Sequence, residues 1–124
     1  MSGPVNAALA AASGALAEKY AAFRAASEAA LDPTLVALIR QAVAGVHGMR
    51  VSPIDETALD AGTRVCLAYA RRLPFEHTAI SDAEAAAIVA HLGEADFVAF
   101  SVVTALADAE CRAALVDLPG LAEG

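Results

Sequence analysis

The stretch Leu31–Gly48, "LDPTLVALIRQAVAGVHG", decides how the rest of the chain is read. Asp32 has the side chain of a helix N-cap, and Pro33 suits the first helical position, where its missing N–H costs nothing. Leu31 and Val36 are spaced as a hydrophobic staple across that start. Leu35, Leu38, Ile39, Val43 and Val46 then recur at three- and four-residue intervals, the period of a helix with one buried face. Gly48 is placed to end it in the left-handed conformation that glycine adopts without strain.

The same signals extend in both directions. On the N-terminal side, Val5, Leu9, Ala12, Leu16, Tyr20 and Phe23 follow Pro4 at helical spacing. They predict one long amphipathic helix over residues 1–30, with Leu16, Tyr20 and Phe23 as a core or interface stripe. On the C-terminal side, Ser52-Pro53 with Asp55 reads as a second helix start. Ile54, Ala58, Val65, Tyr69 and Leu73 carry that helix to about Arg72, with a bend allowed at Gly62 and Pro74 closing it.

"FEHTA" (75–79) reads as a loop, and Ser81 with Glu84 as the capping box of a short helix ending at Gly93. A last long helix is expected from about Ala95 to Val116, its apolar first half central and Pro119-Gly120 stopping it. Asp60 with Arg64, and Asp108 with Arg112, stand four apart in the favourable acid-first order. Strand patterns are lacking, and the expectation is an all-α domain of five helices spanning residues 1–124.

Composition agrees with this and removes several function classes. The hydrophobic fraction is 58%, yet only six residues are Phe or Tyr and none is Trp, so much of the excess is helix-favouring alanine. Charged residues interrupt every long apolar run, which argues against a membrane span, and the start has no secretory-signal pattern. A cytoplasmic location is therefore expected. A net charge of −7 argues against nucleic-acid binding, because phosphate contacts need clustered Lys and Arg. The high mean hydropathy, +0.55, suggests a covered apolar surface and hence a homo-oligomer.

Two segments carry a resemblance. "LDPTLVALIRQAVAGVHG" is similar to the L-D-P-x-L-x-E-L-I-R helix of the carboxymuconolactone decarboxylase / alkylhydroperoxidase-D-like superfamily. "TRVCLAYARRLPFEHTAISDAEAAAIVAHLGEADFVAFSVVTALADAECRAAL" is similar to the helices that follow it there. The resemblance implies an alkylhydroperoxidase-D-like helical bundle, assembled as a trimer or a hexamer. Peroxidase-type members carry E-x11-C-x2-C-x3-H, in which the Glu and His relay protons to a thiolate. Laid on this chain from the "LDP" anchor, that pattern falls on Ala37, Met49, Ser52 and Glu56, so all four groups are replaced. A helical stretch usual after the cysteine motif is also absent here.

Candidate catalytic residues around the degenerate motif are His47, Arg50, Ser52 and Glu56. For Ser52 and Glu56 the simpler roles are a helix cap and a first-turn acid. Cys66 and Cys111 stand on different helices, either as buried apolar thiols or as a displaced redox pair. Glu76, His77 and His91 lack a metal-ligand spacing, so no metal and no cofactor are expected. The leading expectation is a non-catalytic binding or assembly protein with itself as partner. The alternatives are a reused pocket acting on a small organic acid as a decarboxylase, isomerase or lyase, and a residual thiol peroxidase.

Overall fold

A computed structural model describes residues 4–116, which form six α-helices and two short 3₁₀ turns, with no strand among them. The helices are α1 (Pro4–Ala12), α2 (Gly14–Ala29), α3 (Pro33–Val46), α4 (Ala61–Glu76), α5 (Asp82–Leu92) and α6 (Glu94–Leu115). Helix α6 packs against each of the other five, and α3 packs on α4 and α6. The core lies where these three meet. Ile39 and Val43 of α3, Cys66 and Ala70 of α4, Ile88 of α5, and Phe100 and Val103 of α6 are sealed from solvent in one cluster.

Helix α3 forms as its sequence dictates. Asp32 accepts a hydrogen bond from the Thr34 N–H, Pro33 occupies the first turn, and Leu31 and Val36 are both buried in the core cluster. At its end Gly48 has φ 79°. The Met49 N–H donates to the Ala44 carbonyl and the Gly48 N–H to the Gly45 carbonyl, the paired bonds of a Schellman motif. At α5, Ser81 accepts from the Glu84 N–H at 3.2 Å. Gly93, at φ 89°, lets α6 leave α5 at 117°.

Several expectations are corrected. The N-terminal segment is two helices, because Ser13 is extended (φ −163°) and its side chain accepts from the Leu16 N–H, capping a new helix. Val5 and Asn6 then line one pocket with Ala25 and Glu28. A straight helix rising 1.5 Å per residue would hold these pairs far apart, so α1 folds back along α2. The inward stripe of α2 is accordingly Ala17, Tyr20 and Arg24, whereas Leu16 and Phe23 are exposed at 49% and 54%.

Ser52 does not start a helix. Its segment is non-helical, Asp55 caps only the turn Glu56–Ala58, and α4 begins at Ala61 behind Asp60, whose carboxylate accepts from the Thr63 N–H at 2.7 Å. Asp60 thus serves as a cap, and Arg64 bonds instead to the Glu56 carbonyl. Gly62 lies in the first turn under the His91 ring, where a Cβ would collide with the imidazole.

Pro74 does not stop α4, which continues to Glu76 with the proline buried inside it; "FEHTA" is the helix end plus the turn His77–Ala79. A proline near the last turn forfeits one N–H bond, and here its own carbonyl accepts from Arg112 Nη2. The described residues hold six α-helices rather than five, and the expected stop at Pro119-Gly120 lies outside them. Asp108 and Arg112 do pair, at 3.0 Å.

Two substitutions test these termini. Gly48→Ala places a Cβ on a left-handed residue and is expected to cost about 1 kcal/mol. Ser81→Ala removes the α5 cap at a similar cost of about 1 kcal/mol. Urea unfolding followed by circular dichroism would read both as a lower midpoint at unchanged slope.

Candidate functional site

The motif region is built on the end of α3, and its residues point to different places. His47 is the C-cap of α3, and its side chain is only 3% exposed. Its Nε2 lies 2.7 Å from Asp108 Oδ1 on α6, and its ring meets Phe75 edge-on at 4.9 Å. Arg112 completes that cluster, bonding Asp108 and lying over the Phe75 ring. The whole group fastens the ends of α3 and α4 to α6.

Met49 follows from how α3 ends. In a Schellman motif the residue after the left-handed glycine commonly makes an apolar contact back to the helix. Met49 and Ala44 both pack on the core cluster and share one apolar pocket with Cys111. Ser52 is exposed, and its carbonyl accepts from Gln41 Nε2. It borders a shallow groove of about 190 Å³ that also holds Gln41 and Arg71. Glu56 pairs with Arg71 at 3.1 Å, and Arg50 is exposed. Hence His47 turns to α6 while Ser52 and Glu56 lie toward Arg71, so the four candidates do not converge on one site.

The two thiols are buried, with Cys66 fully enclosed and Cys111 at 9% exposure. Burial pushes the Cys66 thiol up to about 11, with the Asp60 charge adding to it. Cys111 is also raised, by burial first and then by Asp108 and Glu110. A nucleophilic cysteine needs the opposite environment, one that favours thiolate. Of the other acids and histidines, His77 and Glu76 are exposed at the end of α4, and His91 stands 3.8 Å from Asp60. Among the described residues no group of three or more His, Cys, Asp or Glu side chains is placed to hold a metal ion.

The densest polar constellation was not among the sequence candidates. Glu110 of α6 accepts from Arg40 Nη1 of α3 at 2.8 Å through Oε1, and from the Tyr20 hydroxyl of α2 through Oε2. Arg24 Nε approaches the same Oε2 at 3.2 Å without the alignment of a hydrogen bond. Glu28 accepts from Arg40 Nε at 2.7 Å. Burial and then the Glu110 carboxylate hold the Tyr20 phenol in its protonated form, well above its ordinary range. Burial works to lower Arg40, but Glu110 and Glu28 outweigh it and raise the guanidinium further.

One signal for this cluster was readable. Arg24 and Glu28 continue the three-four spacing of Ala17, Tyr20 and Ala21, and Glu110 adjoins the buried positions Ala107 and Cys111. Charges in phase with a buried face must find partners across the fold, although spacing alone does not say which. Comparison with protein-family models, with curated proteins and with solved structures finds no match to this chain.

Two measurements follow. Folded protein should resist a thiol-specific chromogenic reagent at neutral pH, with both cysteines reacting once it is unfolded. Because the folded Cys66 thiol titrates above its unfolded value of 9.0, its contribution to stability is complete below pH 9 and is lost as pH rises through about 11. Cys66→Ala should flatten that alkaline loss in pH-dependent urea unfolding.

Proposed function

We propose that this chain is a divergent member of the carboxymuconolactone decarboxylase / alkylhydroperoxidase-D-like superfamily, working as a homo-oligomeric binding or assembly protein without the redox cysteine chemistry. The observation that carries the reading is the use made of the motif positions. Met49 serves the termination of α3, Ser52 lies in an exposed non-helical segment, Glu56 pairs with Arg71, and Ala37 offers no proton to move. The remaining thiols are buried, and burial together with nearby carboxylates suppresses thiolate.

Assembly is supported by apolar surface on α2. Leu16 and Phe23, seven residues apart, fall on one helical face and are both about half exposed. Aromatic and aliphatic side chains displayed in this way are the usual anchors of a subunit contact. A trimer or a hexamer is the state implied by the family resemblance.

The test is the mass in solution by light scattering on a sizing column. The wild type should elute as an oligomer, and Leu16→Asp with Phe23→Asp should convert it to monomer while the helical circular dichroism is kept. A monomeric wild type would overturn the assembly reading. For the lost chemistry, peroxide reduction driven by a dithiol should be no faster than without protein, and unchanged in Cys66→Ser with Cys111→Ser. Turnover abolished by that double change would restore the peroxidase.

A further inference from the structure

The fold-back of α1 on α2 encloses a pocket of about 270 Å³, with apolar walls from Val5, Ala21 and Ala25 and polar walls from Asn6, Arg24 and Glu28. Tyr20 and Glu110 also line it. Most of the polar atoms there are already committed. Glu110 uses both oxygens, on Arg40 through one and on Tyr20 and Arg24 through the other. Arg40 is shared between Glu28 and Glu110.

What is left is specific. The Asn6 side-chain oxygen is buried and has no hydrogen-bond partner. Glu28 receives its bonds on Oε2, leaving Oε1 without a bond from the described residues. Arg24 approaches the carboxylates through Nε, and its two terminal nitrogens make no bond among the described residues. The residues lining the pocket therefore carry an unused guanidinium edge and two unused oxygen acceptors. Arg24 on the wall and Arg40, which bonds both glutamates from outside the lining, cancel Glu28 and Glu110, so an occupant with net charge would be buried without compensation. A guanidinium edge matches a carboxylate, and paired oxygens match an ammonium group.

From this the geometry points to a binding site for a small zwitterion of the α-amino-acid class. Its carboxylate lies on the terminal nitrogens of Arg24, its ammonium donates to Asn6 Oδ1 and Glu28 Oε1, and its side chain rests on Val5, Ala21 and Ala25. The volume is slightly below the range of sites for drug-sized molecules, which selects small side chains. Helix α1 has no buried residue among those described and is joined to α2 through Ser13 alone, so an occupant would hold it in place. This site does not rest on the assembly reading, because every wall comes from one chain.

Calorimetric titration of the full chain with glycine, alanine and valine tests it, alongside the amine and the carboxylic acid that each share only one end of valine, isobutylamine and isovalerate. Saturable heat with at least one amino acid, none with either half-molecule, and about tenfold or greater weakening in Asn6→Leu and in Arg24→Gln is the expected result. Asn6→Leu sits on α1 outside the core, so it keeps the fold while removing the unpartnered oxygen; an unchanged melting curve without ligand checks this. Absence of heat with all three amino acids would overturn the site, as would equal binding of either half-molecule or wild-type affinity in Asn6→Leu.

Discussion

The packing of α3 against α6 is the contact on which the other helices depend. Ile39 and Val43 on one side, and Phe100 and Val103 on the other, are fully withdrawn from water. Burial of such side chains contributes about 1.5–3 kcal/mol each, the largest favourable term available to a chain with so few aromatics. The one buried polar side chain among the described core residues, Thr104, donates back to the Phe100 carbonyl at 2.8 Å, so α6 crosses the core without an unmet hydroxyl. Phe97 stacks on Phe100, and Tyr69 meets both rings at an angle and widens the same contact toward α4.

Charge is arranged around that core rather than spread evenly over the surface. Two groups of polar residues fasten helices to α6, Glu110 with Arg24 and Arg40 on one side and Asp108 with His47 and Arg112 on the other. Partly buried ion pairs of this kind add little net stability, since desolvation offsets their attraction. What they decide is register. An acid at position 110 that must meet arginines from both α2 and α3 leaves those helices little freedom to slide.

The end of α3 shows how ordinary structural chemistry accounts for the side chains of a turn. It carries a left-handed glycine, a methionine that packs back on the helix and a histidine held by an acid of α6. Each side chain satisfies a local need of the backbone or the core. The groove beside Ser52 and the cluster around His47 consequently lie in different directions.

The sequence by itself determined the all-α class, the start and end of α3, the Ser81 cap, the Gly93 joint and the Asp108–Arg112 pair, because each depends on residues within one or two helical turns. It did not determine the break at Ser13, since a serine inside an alanine-rich helical pattern becomes a cap only when the preceding segment has somewhere to fold back. It placed the start of α4 at Ser52, although Asp55 and Asp60 also carry capping side chains. All three are competent caps, and packing of Cys66, Leu67 and Ala70 into the core selects the register that begins at Ala61. Above all, the meeting of Tyr20, Arg24, Arg40 and Glu110 joins residues as many as ninety positions apart. Only the tertiary structure decided it, because the partner of a charge in phase with a buried face is set by which helices pack together.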